Sequence, residues 1–422
     1  MAEEKISLAP PRGMRDFYPE DMRLRNRVFK AWRTAAKTFA FDSYDACVVE
    51  SLPLLKRKAG EEIVRQIYAF EDKKGRELAL RPEMTPTLAR MIAHRQASLD
   101  FPVKWATIAQ CFRYERMTKG RKREHYQWNL DILGEQSVNA EAEVIAAAVC
   151  ALKEMGLGST DFKVLVNTRR LVSELLTNAG ISASLHHGVF MALDKKGKIP
   201  DEQLRQQLQE TGMTDEQVDS VFKVFAVENL DDAQRTLGPN STAVNELLSF
   251  MEVAEHYNIA GIINFDISVV RGLSYYTGLV FEAFDSNREY RALFGGGRYD
   301  NLLKDIGGRA ITGVGMGFGD VVISELLTDR KIEQKKPAID MAIGYMHRDQ
   351  QSHAIALATA FRNEGKKVDL ALSPDKPGRF FKKAGKSTSL KAVYIGPDDV
   401  ADGTVKIKDL QTQQETTLAL RD

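Results

Sequence analysis

Cysteine is scarce in this chain: Cys47, Cys111 and Cys150 are the only three, odd in number and never in a Cys-x-x-Cys arrangement. That excludes a disulfide framework or a thiolate zinc site as the basis of the fold and fits a reducing cytosol. An excess of charge is missing too. Lys and Arg total 59 against 58 Asp and Glu, a net charge of +1, so any contact with nucleic acid has to come from local basic patches. No apolar run approaches the ~18 residues that a membrane span needs, and the opening MAEEKISLAPPRG carries acidic residues where a signal peptide has its apolar stretch. A cytoplasmic protein without membrane attachment is the expectation. Phosphate loops of the forms GxGxxG and GxxxxGK are also absent. What is present, 422 residues of which 43% are hydrophobic, suffices for two or three domains with sizeable cores.

Leu24, Val28, Trp32, Ala35 and Phe39 recur at helical spacing and predict one amphipathic helix. DACVVES and RELALRPEM read as short strands, the second stopped at Pro82, after which Thr85 as N-cap and Pro86 at the first position open a helix to about Arg95. Residues 104–114 and 124–133 read as a long antiparallel hairpin with a basic tip, ERMTKGRKR. An alanine-rich helix and the strand DFKVLVN follow. From about 169 to 258 only helical patterns occur, rich in Gln, Glu, Asp and Lys, which reads as an inserted helical module. Strand patterns return at NFDISVV, YYTGLVFEAF and TGVGMGFG. A charged, proline-ended linker at 329–337 precedes about 80 residues of alternating strand and helix, a small α/β domain of its own.

Five stretches carry the signs of chemistry. In GVGMGFG, Gly313, Gly315, Gly317 and Gly319 fall at period two, so they share one face of a strand. Such a face either admits a close neighbour or receives a flat ligand such as adenine. In the hairpin tip, Arg116, Lys119, Arg121, Lys122 and Arg123 repel one another and call for an anion, with phosphate the natural partner, and Arg113 and Glu115 stand beside them at the strand end. Gln127, Asn129 and Asp131 alternate with Trp128, Leu130 and Ile132, giving one polar strand face. Glu83 and Thr85 lie at a strand-to-helix break, where functional groups are often displayed. Finally, VVRGLSYYTGLVFEAF sets Arg271 among apolar residues beside Tyr275 and Tyr276, and a buried guanidinium needs an anion, either a core carboxylate or a ligand.

Together these stretches resemble the class II aminoacyl-tRNA synthetases, and RGLSYYTGLVFE resembles the signature of the histidyl-tRNA synthetase family. PRGMRDFYPED is similar to that family's N-terminal stretch, LRPEMT to its amino-acid-binding loop, and FRYER through QWNLDILGE to the second class motif. GGGRYDNL with GVGMGFG is similar to the third-motif region, and the last 85 residues to the anticodon-binding domain. The resemblance implies an α+β fold: a class II antiparallel sheet flanked by helices over 1–168 and 259–328, a helical insertion over 169–258, and an α/β anticodon-binding domain over 338–422. It implies that histidine's carboxylate attacks the α-phosphate of ATP with Mg²⁺ present, and that the histidyl group then passes to tRNA(His), in a homodimer. Arg271 and Arg113 would meet the α-phosphate from opposite sides, and Glu115, Arg121, Gly315 and Gly317 would hold ATP. Glu83, Thr85 and Gln127 would bind the ammonium end of histidine, Asp131 and Tyr275 its imidazole, and Tyr276 and Tyr299 would shape the pocket.

Some residues depart from the family's pattern. Gly319-Asp320 stands where the third motif usually ends in Glu-Arg, so the arginine expected near the triphosphate tail is missing, and either another basic residue substitutes or ATP binds differently. Ser274 replaces a common aspartate, Asp131 a common glutamate, and Cys47 the usual proline of the first motif. Two other readings stand beside the first: a non-catalytic histidine-sensing regulatory subunit of ATP phosphoribosyltransferase, which shares the fold, and a synthetase of the same class for proline or threonine. Arg271, Arg113 and the domain from about residue 338 oppose the first, and RGLSYYTG with the lack of a zinc-ligand cluster opposes the second.

Overall fold

The computed structural model describes residues 6–58, 61–270, 276–332, 336 and 338–420. The chain forms two compact units, Met1–Ile332 and Glu333–Asp422. In chain order the strands of the first are β1 (Asp42–Ser43), β2 (Val49–Ser51), β3 (Tyr68–Glu71), β4 (Glu77–Leu80), β5 (Val103–Phe112), β6 (Glu124–Leu133), β7 (Phe162–Thr168), β8 (Ile263–Phe265), β9 (Leu279–Asp285), β10 (Phe294–Arg298) and β11 (Gly313–Gly319). Eight of them form one sheet in the order β1-β5-β6-β11-β10-β9-β7-β8, antiparallel except at its two outer pairs. The predicted hairpin is its longest pairing, running from Val103 opposite Leu133 to Phe112 opposite Glu124. β2, β4 and β3 make a separate small sheet.

One face of the large sheet is apolar because β6 and β11 send their alternate side chains there together. Trp128 and Phe318 meet Trp32 of the helix Pro19–Thr38, with ring centroids 6.0 Å and 5.4 Å from that of Trp32. The helix Asn139–Glu154 lies against the same helix, and its many alanines let the backbones approach closely. The helices between Arg169 and His256 share this apolar core, with Leu171, Leu204, Val221 and Phe250 fully buried in the cluster that contains Trp32. Burying both faces of β6 resolves what its polar alternation left open: Asn129 and Asp131 are 3% and 1% exposed, so the polar face is covered, not solvated.

The second unit has strands β12 (Ile339–Tyr345), β13 (Val368–Leu370), β14 (Ser389–Ile395), β15 (Thr404–Asp409) and β16 (Glu415–Ala419), ordered β13-β12-β14-β15-β16. β12 is parallel to β13 and β14, the rest antiparallel. Its sheet is covered on both sides, as the alternation in β12 requires. Met341 and Ile343 pack with Leu357 of the helix Gln351–Asn363, and Ala342 packs with Phe380 of the helix Pro377–Lys386.

Two local expectations need correction. Thr85 is not an N-cap: the helix begins at Thr85, after Met84 in helical conformation, and no side chain caps it. The turn before it is anchored by Arg81, whose buried guanidinium donates to the carbonyls of Gln110 and Ala46. The strand at DACVVES covers only Val49–Ser51, and Pro53 lies in the first turn of the helix Leu52–Lys58, a position where its missing N–H costs nothing.

A buried ion pair ties the end of β10 to the helical layer. Arg298 Nε and Nη2 donate to the two carboxylate oxygens of Glu141 at 2.7 and 2.6 Å, and the remaining donors reach the carbonyls of Glu135 and Ser137. Glu141→Ala leaves that guanidinium buried without its carboxylate and is expected to cost about 3–5 kcal/mol. Asp219→Ala, which breaks the exposed Arg205–Asp219 pair, should cost under about 1 kcal/mol. Urea unfolding measures both; midpoints that fall equally would show that the buried pair holds nothing special.

Candidate active site

The glycine face of β11 is the floor of the site, and it is occupied by side chains. A Cβ built on Gly317 would lie 1.7 Å from Gln127 Nε2, one on Gly315 would lie 2.2 Å from Asp131 Oδ1, and one on Gly313 would lie 2.4 Å from Tyr299 Cε2. These distances follow from register. Gly315 is paired with Asp131 and Gly317 with Gln127 across the β6–β11 ladder, so the polar residues of β6 lie over the glycines opposite them. Of the two readings left by the sequence, close approach of a neighbour holds at Gly313, Gly315 and Gly317; only Gly319 has nothing within 4 Å of its missing Cβ.

Above this floor is a cleft of about 580 Å³, and of the residues to which the family resemblance gives a role, ten line it: Glu83, Thr85, Arg113, Glu115, Arg121, Gln127, Tyr276, Tyr299, Gly315 and Gly317. They arrive on separate elements. Glu83 and Thr85 come from the turn after β4, Arg113 to Arg121 from the β5–β6 connection, and Tyr299 from the end of β10. Arg113 is joined to the first of these by its Nε, which donates to the Pro82 carbonyl at 2.8 Å. Asp131 lies just beneath, reached through Tyr299, whose hydroxyl donates to its Oδ1 at 2.5 Å. Arg271 and Tyr275 lie outside the described residues.

The basic tip finds part of its counter-charge within the chain. Arg121 pairs with Glu115 at 2.9 Å, Lys119 lies 3.5 Å from Asp329 and over the Tyr290 ring, and Arg123 lies over the Tyr114 ring at 3.9 Å. Phosphate is therefore not the only anion the tip can answer to, as its sequence alone implied.

Burial sets the protonation of the floor. Asp131, wholly enclosed, is pushed up to about 7, the Tyr299 hydrogen bond pulling only partly the other way, and its Oδ2 has no hydrogen-bond partner among the described residues. The buried Tyr44 hydroxyl is likewise without one, and burial and then Asp131 raise that phenol well above its ordinary value. His125 lines the cleft and is pulled down to about 3 by burial and by Arg113 and Arg15, so it is neutral at physiological pH. It was missed in the sequence although the signal was there: the alternation of Gln127, Asn129 and Asp131 extends one step back to His125. Among the described residues no group of three or more His, Cys, Asp or Glu gathers as a metal site. Nor is any helix there long and apolar enough to cross a membrane.

An antiparallel sheet whose central glycine strand carries a polar, arginine-edged cleft, with helices on its other face, defines a class II aminoacyl-tRNA synthetase fold. A solved histidyl-tRNA synthetase from a Nostoc species shares it with a TM-score of 0.81 at 24% identity, over 98% of this chain and 97% of that one. The model of the family described as histidyl-tRNA synthetase matches residues 13–319, and that described as anticodon binding domain matches residues 340–422. The histidine--tRNA ligase of Arabidopsis thaliana chloroplasts and mitochondria is 40% identical over 99% of this chain and 86% of its own length; that of Opitutus terrae is 38% identical over 96% and 94%. The chain belongs to the histidyl-tRNA synthetase family.

Asp131 gives the folded protein a pH dependence of definite sign. The folded carboxyl titrates near 7 and the unfolded one near 3.8, so between these values only the folded state holds the proton, and stability falls as pH rises through that window. Asp131→Asn removes the effect while keeping an acceptor for Tyr299. Relative to the wild type it should gain stability from pH 4.5 to 7.5, by up to about 4 kcal/mol. Denaturant titrations at both pH values test this, and a difference that does not change with pH contradicts it.

Proposed function

We propose that this chain attaches L-histidine to tRNA(His) with ATP, through a histidyl-adenylate. The observation that carries the reading is convergence: Glu83, Arg113 and Gln127 come from three elements to one cleft over a glycine strand. In the first step a carboxylate oxygen of histidine attacks the α-phosphorus of ATP and the bond to the bridging oxygen breaks, releasing pyrophosphate. In the second a hydroxyl at the 3′ end of the tRNA attacks the acyl carbon and AMP leaves. Neither step needs a protein nucleophile, so the work falls to alignment and to positive charge placed where negative charge grows.

In this reading the roles are those that the family resemblance implies, and the positions in the cleft support them. Glu83, Thr85 and Gln127 hold the ammonium group at the end of the cleft where the Arg81-anchored turn is rigid. Arg113, tied to that same turn, stands beside them to meet the α-phosphate, and the resemblance gives Arg271, which lies outside the described residues, to the same phosphate. Glu115 and Arg121 hold the nucleotide over Gly315, Gly317 and the open place at Gly319. Asp131, oriented by Tyr299, and Tyr275 take the imidazole, and Tyr276 shapes the wall. Partners for both ring nitrogens reject amino acids that lack them far better than size exclusion does. The cleft offers single carboxylates and no cluster, which suits Mg²⁺ arriving on the phosphates of ATP, where it supplies further positive charge.

In the same reading 169–258 is a helical insertion domain within a catalytic domain spanning 1–168 and 259–328, and 338–422 is the anticodon-binding domain behind the linker 329–337. Its helix Pro377–Lys386 turns Phe380 and Ala384 inward and leaves Arg379, Lys382, Lys383 and Lys386 exposed toward an RNA backbone. Exposed Val48 and Val49 beside Cys47 suit the homodimer contact, and three free cysteines suit the cytoplasm.

Incubation with ATP, Mg²⁺ and labelled pyrophosphate should give exchange into ATP only when histidine is present. Exchange with another amino acid instead would reassign the substrate. Histidine binding without exchange would make the chain a sensor.

A further inference from the structure

Asp131 is served at one oxygen only. The Tyr299 hydroxyl donates to Oδ1, while Oδ2, in a residue 1% exposed, has no hydrogen-bond partner among the described residues. A buried polar atom left in that state is costly. The Tyr44 hydroxyl is a second such atom, and it belongs to the same face of the sheet. Trp105 stands directly opposite Asp131 in the β5–β6 ladder, so their side chains leave the sheet on the same side. Tyr44 follows β1, donates its backbone N–H to the Ala106 carbonyl at 3.0 Å, and sets its ring against that of Trp105, with centroids 5.4 Å apart. It also packs on the apolar cluster of Leu88, Leu133 and Tyr299. A third unsatisfied atom is Oδ1 of Asn129, 3% exposed and two residues before Asp131 on the same face of β6.

The three atoms are complementary: the phenol is a donor, and the carboxylate and amide oxygens are acceptors. A single water can accept from the first and donate to the other two, and three bonds are the usual complement of a buried water. β5 alone separates β1 from β6, so the two backbones lie about 9–10 Å apart, a span that a phenol from one and two short side chains from the other close through one water. We propose that Tyr44 is a positioning residue for histidine recognition: its hydroxyl, Asn129 Oδ1 and Asp131 Oδ2 share one buried water, which holds Oδ2 in place for an imidazole N–H. With Tyr299 on the other oxygen, the carboxyl is then fixed at both ends. The charged and titratable groups around the pair are Tyr299, Arg81, Cys111 and the exposed Asp45. Arg81 keeps its charge, bound to the Gln110 and Ala46 carbonyls, and Cys111, pushed up to about 11 by burial, keeps its proton through the neutral range.

The assignment rests on the reading of Asp131 as the partner of the imidazole, and its test separates the two. Tyr44→Phe keeps the ring against Trp105 and removes only the oxygen. In equilibrium titrations of the full-length protein it should weaken histidine about 3- to 10-fold and ATP by less than about twofold. Losing a donor to the carboxylate also favours its protonated form. The pH up to which stability to denaturant keeps falling, near 7 in the wild type, should therefore move upward by about half a unit or more. That movement should vanish when Tyr44→Phe is made in an Asp131→Asn background. Equal weakening of histidine and ATP, or an unmoved pH midpoint with histidine affinity intact, would overturn the assignment. If the midpoint moves while the wild type binds no histidine, the water bridge stands and the substrate reading falls.

Discussion

The site depends on side chains that β11 does not have. Two adjacent strands with the same polarity pattern normally stack their side chains in register, and a polar row on β6 would then stand upright beside an equal row on β11. With glycine at 313, 315 and 317, Gln127, Asp131 and the ring of Tyr299 lie down across the neighbouring backbone instead, at distances that any Cβ would forbid. The cleft has depth for that reason. The same lack of side chains on β11 lets Asp131 be enclosed, and that burial raises its pKa to about 7.

The other face of those two strands carries the opposite load. Trp128 and Phe318 alternate with the polar residues and the glycines, and they anchor the helical layer through Trp32. One strand pair thus holds both the core and the site. Its period of two was legible in the sequence for both purposes: the glycine run, the Gln-Asn-Asp row, the hairpin from 104 to 114 with its return strand, and the helix through Trp32 all rest on local spacing, and each is in place. What spacing could not say was which side of β6 would be covered. An edge strand with a solvated polar face has the same sequence pattern as a central strand over a cleft, and only the pairing of β6 with both β5 and β11 separates them.

Charge was harder to read than period. Arg81, Arg298 and Arg15 are all in stretches that carry the family resemblance, yet each is spent on the fold: Arg81 on carbonyls of Ala46 and Gln110, Arg298 on Glu141, and Arg15 on Asp320. Their partners are 29 to 305 residues away in the chain, beyond any window in which local pattern has meaning. The basic tip shows the same limit, since Asp329 and Glu325 reach it from a helix some two hundred residues on. Arg271, the buried-looking arginine of the sequence, lies outside the described residues.

Asp320 draws these strands together. A carboxylate at the head of a helix is favoured by the unpaired N–H groups there, but burial opposes its charge and raises its proton affinity, so the position is tolerable only because Arg15 and the Tyr126 N–H meet it. Arg15 reaches it from a segment before the first helix, which makes the chain's opening stretch a structural part of the sheet's edge. Replacing an arginine by an aspartate at this point therefore does more than remove a cation from the cleft. It recruits a second cation to hold the acid, and that second cation is consumed in the process.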